Sequence, residues 1–377
     1  MKEARKAVGR FLRTADMFLL FVSLLAASYG MVLISSATAA GGQSKRQLLV
    51  QGGAILIGVV LFVLLSLVEV EVVAGFWKWI LAFNVLFMCL LLVWGGEKAS
   101  NRSWLEPKFL PFSIQPAELV KIGFILLLAK QMYELSQRER LNHILSIGML
   151  GFHFAGMAGL IFYTSKDSGM IVAYACIFFA MCLGAGIHFR WFAAAGALLA
   201  GAAPLIWNSL QDYQRQRILV GFRPELDPLD YGYQSLQSKT AIGSGRLFGQ
   251  GLYQGNHTQL GKIPVKESDF IFSVAGEELG LVGCLAILLL LGIIVVRCLY
   301  IATRAKTELS ASVCVGVAGM ILFQTIINVG MCLALTPVVG LTLPFFSYGG
   351  SSIVAVFAAM GLVSSVRRNP KHHWLKD

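Results

Sequence analysis

The stretch DFIFSVAGEELGLVGCLAILLLLGIIVVRCLYI, residues 269–301, reads as a membrane helix with turns to spare. Continuous helix of that length runs roughly 50 Å at about 1.5 Å per residue, against about 30 Å of bilayer hydrocarbon. The surplus lies at the front, because Arg297 marks the other membrane boundary. It holds Asp269, Glu277 and Glu278, with Glu267 just before. Acids are scarce elsewhere, 20 Asp plus Glu against 31 Lys plus Arg, so their gathering at the mouth of an apolar helix calls for a cause.

The rest of the chain has the same character. Hydrophobic residues make up 56% of its 377 positions and charged residues 14%, where a soluble domain carries about 25% charge. Apolar runs fall near 17–40, 48–68, 74–95, 112–129, 144–164, 168–188, 191–208, 269–301, 311–339 and 343–366. The composition predicts an all-α polytopic membrane protein with ten transmembrane helices, a single integral-membrane domain over 1–377. The seven Cys sit in apolar runs without metal-type spacing, and an odd number argues against a complete disulfide framework. The six His form no zinc motif. The formal charge of +11 fits membrane orientation better than nucleic acid, since no soluble basic domain exists to hold one.

The first run, longer than the 7–15 apolar residues of a signal peptide, is expected to be retained. With both termini cytoplasmic, the inner segments hold 17 Lys plus Arg and the short outer loops 6. That asymmetry orients the chain in the plasma membrane. One long segment, 209–268, then becomes a large extracellular loop between the seventh and eighth spans. Its glycines, polar residues and aromatics suggest an ordered loop.

Pro264 ends any earlier helix and Ser268 is a candidate N-cap, placing Asp269 in the first turn. There Asp269 either complements the helix dipole or performs chemistry. Glu277 and Glu278, about 100° apart on a helix, are expected to meet different basic residues of the loop, and Gly276 and Gly280 to admit another backbone. In FSIQPAELVKIGFILLLAK, 112–130, Pro116 opens a helix and Glu118 and Lys121 share a face at i, i+3. An ionisable pair in a membrane span either fixes packing or serves a substrate. Asp167 opens the sixth run as a further outer carboxylate or a first-turn residue. The prolines and Gly349-Gly350 of 335–354 break the helix pattern, making a turn or an anion cradle.

Taken in order, FSIQPAELVK, YQRQRI, DPLDYGYQ, QSKTAIGSGRLFGQG, ESDFIFSVAGEELGLVG and INVGMCLALTPVVGLTLPFFSYGGSS resemble the SEDS family (shape, elongation, division and sporulation) of membrane peptidoglycan polymerases. The resemblance covers Asp16 to Arg367 and leans to the elongation branch (RodA) over the division branch (FtsW). ASNRSW (99–104) and KDSG (166–169) depart from the common family pattern. The family implies lipid II as substrate, a class B penicillin-binding protein as partner, Asp269 as the essential outer carboxylate, and Glu118 with Lys121 as a functional pair. A single base suffices where a pyrophosphate leaves, so Asp269 would deprotonate the acceptor hydroxyl, hold a divalent cation (Mg or Mn), or both. Lys121, Arg215, Arg217 and Arg223 are candidates to receive the pyrophosphate, or the arginines pair with Glu277 and Glu278. A flippase for the lipid-linked precursor and a non-catalytic scaffold for the cross-linking enzyme are the alternatives.

Overall fold

The structure, a computed structural model, describes residues 15–42, 44–98, 101–106, 113–209, 211–230 and 232–367. The basic head and most of the basic tail used for orientation lie outside these residues. Apolar runs become helices almost where hydropathy places them. The first half comprises α1 (Met17–Ala37), α2 (Ser44–Ser66), the short α3 (Val70–Gly75), α4 (Trp77–Trp94), α5 (Pro116–Gln137), α6 (Ile144–Ser165) and α7 (Ser168–Gly184). Then come α8 (Phe189–Ser209), α9 (Asp212–Phe222), α10 (Tyr233–Ser244), α11 (Asn256–Gln259), α12 (Ile271–Thr303), α13 (Glu308–Cys332) and α14 (Gly350–Arg367). Strands β1 (Gly95–Lys98) and β2 (Asn101–Leu105) pair antiparallel between α4 and α5.

Among the described residues seven helices are long and apolar enough to cross a bilayer: α1, α2, α4, α6, α12, α13 and α14. The other three predicted runs correspond to α7 and α8, apolar over shorter lengths, and to α5, which carries Glu118, Lys121, Lys130 and Glu134. Burial sorts centre from rim. In α14, 83% of the span is buried, against 17% in α4 and 22% in α2 and α6, so α14 is the axis and the latter present apolar faces to lipid. Gly361 of α14 lies against Phe62 of α2 so closely that an added methyl would sit 2.8 Å from its backbone.

One end of the bundle is tied by Asp16, fully buried and N-cap of α1. Its carboxylate takes Arg297 Nη2 at 2.7 Å and Arg367 Nη1 at 3.3 Å, joining α1, α12 and α14. The start of α12, with Asp269, lies at the opposite end.

The predicted unbroken helix over 269–301 is corrected in two ways. It starts at Ile271, and it breaks at Gly280, whose φ of 69° and ψ of −163° are non-helical. Hydropathy misses this because a backbone break leaves the composition apolar. The part beyond the break, 281–303, is about 34 Å of helix, one bilayer's worth.

Candidate active site

Asp269 sits in the turn just ahead of α12, not in its first turn as expected, and Phe270 takes the N-cap position. Ser268 is therefore no cap; its hydroxyl donates to Asp269 Oδ1 at 3.0 Å. The backbone of the turn is held by residues distant in sequence. Asn328 Nδ2 donates to the Asp269 carbonyl at 2.8 Å, the Ser347 hydroxyl to the Ser268 carbonyl at 2.6 Å, and the Tyr348 N–H to the Glu267 carbonyl at 2.8 Å. Three consecutive carbonyls are thus fixed by residues from α13 and from the 333–349 connection.

Asp269 is half-buried as a residue. Gly340, at φ +70°, lies beside it: a methyl there would stand 3.5 Å from Asp269 Oδ2. Withdrawal from water raises the Asp269 pKa to about 6; the Ser268 hydrogen bond opposes this, and the charges of Asp167 and Glu267 add to it. A carboxylate with a pKa near 6 is ionised at neutral pH yet basic enough to take a proton.

Asp167 ties three elements together. Its Oδ1 accepts from Met170 N at 3.1 Å, capping α7, and its Oδ2 accepts from Ser103 Oγ at 3.1 Å and Gln115 Nε2 at 3.3 Å. Burial raises its pKa, hydrogen bonds from Met170 and Ser103 lower it, and Glu118 raises it. Behind Gln115, the N-cap of α5, lies the Glu118–Lys121 pair at 2.7 Å, both side chains withdrawn from solvent. The acidic side chains therefore form a connected field from Glu118 through Asp167 to Asp269.

The Gly280 break is filled by another backbone. The carbonyls freed at Glu277 and Glu278 accept from Gln250 N at 2.9 Å and Gly251 N at 3.0 Å. The freed amides of Leu281 and Val282 donate to the carbonyls of Arg246 at 2.9 Å and Leu247 at 3.2 Å. Segment 246–251 so replaces the missing helical bonds, which satisfies the backbone where water is excluded.

The expectation of basic partners for Glu277 and Glu278 is overturned. Both are fully buried. Glu277 accepts from His257 N at 2.7 Å, Thr258 N at 2.8 Å and Thr258 Oγ1 at 2.7 Å, while Glu278 accepts from Gln259 Nε2 at 2.9 Å. Glu277 is thereby served by backbone and hydroxyl donors, while the Oε2 of Glu278 is buried without a hydrogen-bond partner among the described residues. Lys266, the cation whose charge acts on both, donates to the Thr258 carbonyl.

Of the candidate arginines, only Arg215 and Arg223 have described side chains, and neither is bonded to Asp269. Arg215 donates to the Trp207 and Asn208 carbonyls, both at 3.0 Å, closing the end of α8. Arg223 is exposed. The Arg217 side chain lies outside the described residues. In segment 335–354, Leu343 N and Gly349 N are bonded to Ser347 Oγ and Gln51 Oε1, and residues from Gly350 on open α14. Among the described residues no group of three or more His, Cys, Asp or Glu is gathered to hold a metal ion. Sequence reasoning missed Asn328, Ser347 and Gln115. The one visible signal was a polar Asn within an apolar run.

A family model described as "Cell cycle protein", named for FtsW, RodA and SpoVE, matches residues 16–372. Peptidoglycan glycosyltransferase MrdB of Escherichia coli K12 is 32% identical over 357 residues, 94% of this chain and 93% of that protein. Stage V sporulation protein E of Bacillus subtilis strain 168 is 32% identical over 375 residues, 95% of this chain and 98% of that one. A solved structure described as "Structural coordination of polymerization and crosslinking by a peptidoglycan synthase complex" is similar at TM-score 0.81 and 29% identity, covering 94% of this chain and 98% of that one. Rod shape determining protein RodA of Thermus thermophilus is similar at TM-score 0.69 and 27% identity, covering 95% and 98%.

Proposed function

The chain belongs to the SEDS family and is a multi-pass membrane peptidoglycan glycosyltransferase, and from that premise we propose that it polymerises lipid II with Asp269 as general base. The Asp269 end faces outward in this reading, with the termini cytoplasmic and 209–268 as the outer loop. The Asp269 carboxylate takes the proton of an acceptor sugar hydroxyl. The freed oxygen attacks the anomeric carbon of the donor, the bond from that carbon to the polyprenyl pyrophosphate breaks, and the configuration inverts. Pyrophosphate leaves without a strong acid, so one base serves where glycoside hydrolysis uses two carboxyls. A general base contributes about 10²–10⁴-fold in rate. The observation that carries this reading is a carboxylate on a half-buried residue, lifted to a pKa of about 6 and set on a turn fixed at three consecutive carbonyls.

Lys121 is the buried cation on the membrane side of this field and is proposed to meet the pyrophosphate by exchanging Glu118 for it. Arg215, Arg217 and Arg223 belong to the outer loop and would approach on its closure. Asp269, together with the substrate phosphates, would hold a Mg or Mn ion in the way such ions are usually bound, and the ion would offset charge on the departing pyrophosphate. Both oxygens of the neighbouring Asp167 are already engaged by Ser103, Gln115 and Met170, and no step here runs through a cation. A class B penicillin-binding protein is the proposed partner, cross-linking the strands. Its support is the likeness to a complex described as coordinating polymerisation and crosslinking.

Purified protein given lipid II, with and without its partner, tests the proposal. Glycan polymer from the wild type and none from a folded Asp269→Asn variant is the expected result. Polymerisation by that variant overturns Asp269 as base, and lipid transport across vesicles without polymer favours a flippase.

A further inference from the structure

The end of the bundle opposite Asp269 carries more positive charge than its packing uses. Arg297 of α12 and Arg367 of α14 both pair with Asp16, at 2.7 and 3.3 Å. Arg297 also lies over the rings of Phe18 and Tyr300, its guanidinium carbon 5.5 and 5.2 Å from the two centroids. Arg304, the C-cap of α12, lies over the same Tyr300 ring at 4.6 Å. Three arginines are so gathered around one carboxylate and one ring, and a single negative charge serves them. The acid nearest in the adjoining connection is already engaged: Glu71 accepts from Thr307 and Ser310, with the Lys306 charge acting on it.

The surplus is open to a ligand. Arg304 is exposed, and among the described residues its guanidinium has neither an ion pair nor a hydrogen bond. The Arg367 side chain is 49% exposed, although the Asp16 it pairs with is fully buried. Arg297 is the one spent on structure, with Nε and Nη2 both on Asp16. From the arginines an apolar surface runs along the bundle, made of exposed Phe18, Phe21 and Leu25 on α1 and exposed Leu289, Val296 and Tyr300 on α12. Spacings of i, i+3, i+7 on α1 and i, i+7, i+11 on α12 give one face on each helix. The two helices are neighbours, joined by the Tyr29 hydroxyl donating to the Gly283 carbonyl at 3.1 Å.

Such a surface suits an amphiphile with a compact anion at one end. Guanidinium matches phosphate oxygens two at a time, and the apolar faces beside it take hydrocarbon. A free phosphate or an acidic peptide would leave the apolar faces idle, and an uncharged lipid would leave the arginines idle. The cluster stands where α1 begins and α12 and α14 end, the depth of lipid headgroups. In the proposed orientation it meets the inner leaflet, whose surface is negative. We propose that the α1–α12 face binds an anionic phospholipid, its phosphate held by Arg304 and Arg367 and its chains laid along Phe18, Phe21 and Val296. The bound lipid neutralises the surplus charge and links the ends of α1, α12 and α14, so it steadies the bundle from the side away from the reaction.

The test compares full-length wild-type protein, Arg304→Gln, Arg304→Lys and Arg190→Gln in detergent micelles doped with phosphatidylglycerol or phosphatidylcholine. Arg190 is the control for general attraction, since it also lies over an aromatic ring, Trp191 at 5.4 Å, but pairs with no shared carboxylate among the described residues. Lipid retained in native mass spectrometry and the unfolding temperature are both read. Wild type is expected to retain phosphatidylglycerol and to unfold at higher temperature with it, while phosphatidylcholine and inorganic phosphate do neither. Arg304→Gln should weaken phosphatidylglycerol binding about tenfold, the worth of one charge-assisted hydrogen bond. Arg304→Lys should weaken it less, and Arg190→Gln should leave it within about twofold. Equal losses from Arg304→Gln and Arg190→Gln, or equal retention of phosphatidylcholine, overturn the site. Stabilisation by inorganic phosphate or by a soluble polyglutamate peptide to the same extent overturns the lipid as its occupant.

Discussion

Asn328 holds Asp269 in place: its Nδ2 donates to the Asp269 carbonyl at 2.8 Å and to the Leu341 carbonyl at 2.7 Å. Both amide hydrogens are used, so the turn before α12 and the connection after α13 share one anchor. Asn328→Ala frees both carbonyls without touching the carboxylate. Displacing a reacting group by about 1 Å costs on the order of 10²-fold. Polymerisation assays are expected to give kcat lowered about 10- to 100-fold with KM nearly unchanged. A large rise in KM at constant kcat would contradict the anchor role.

Ionisation of Asp269 gives two linked expectations. Polymerisation rate is expected to fall as pH drops through about 6, because the base becomes protonated. Stability runs the other way. A folded pKa raised from 3.8 to about 6 gives a stabilising contribution that is full below the unfolded value and lost as pH rises through about 6. Asp269→Asn removes that penalty and is expected to be more stable than wild type at pH 7.5, by up to about 3 kcal/mol, and so to unfold at a higher temperature. The two proteins should converge near pH 4. An equal gap at both pH values would remove the buried-charge account.

Glu118 and Lys121 answer to substitution as a pair. Removing one partner leaves a buried charge uncompensated, about 3–5 kcal/mol, whereas replacing both by apolar residues is near neutral for stability. Lys121→Ala is expected to cripple polymerisation more than Lys121→Arg, which keeps the charge. Glu118→Leu with Lys121→Met should fold like wild type and polymerise poorly. Normal activity from that folded double variant would make the pair a packing device.

Gly280 tolerates no side chain. A methyl there would stand 2.4 Å from Gly249 N and 2.5 Å from the Leu247 carbonyl, on a backbone at φ +69°. Gly280→Ala is expected to lower stability by at least about 2 kcal/mol and to expose segment 246–251 to protease. Unchanged proteolysis would show that the two backbones part without consequence.

Sidedness is measurable with cysteine labelling. Leu229, 89% exposed in the 209–268 segment, is expected as Leu229→Cys to react with an impermeant maleimide on intact cells. Glu139→Cys, between α5 and α6, should react only after permeabilisation. The reverse pattern would invert the proposed orientation.

The sequence located the helices well because hydropathy is a local property, and a run such as 144–164 becomes Ile144–Ser165 with little adjustment. Pro116 occupies the opening of α5 as its fixed φ suggests. What escaped is long-range. Glu277 was expected to meet a basic residue and instead accepts from His257 N and Thr258, since nothing local tells a carboxylate whether ammonium or amide groups will reach it. Gly276 and Gly280 were legible as places of close approach, but the visitors, Ile242 of α10 at the first and segment 246–251 at the second, were not. Position among scarce acids marked four carboxylates, Glu267, Asp269, Glu277 and Glu278, and it was the family resemblance that singled out Asp269. Asn328, Ser347 and Gln115, which hold its surroundings, looked like ordinary polar residues in apolar neighbourhoods.

The split of α12 bears on how the chain is assembled in the cell. Residues 281–303 can partition into lipid as soon as they are synthesised, since their amides are served by their own helix apart from the first few. In the proposed orientation, the preceding turns cannot settle until segment 246–251 has crossed the bilayer and folded back to complete them. Maturation of the reaction centre is thereby placed after translocation, so a nascent chain whose loop has not yet arrived carries its carboxylate on an unfinished scaffold.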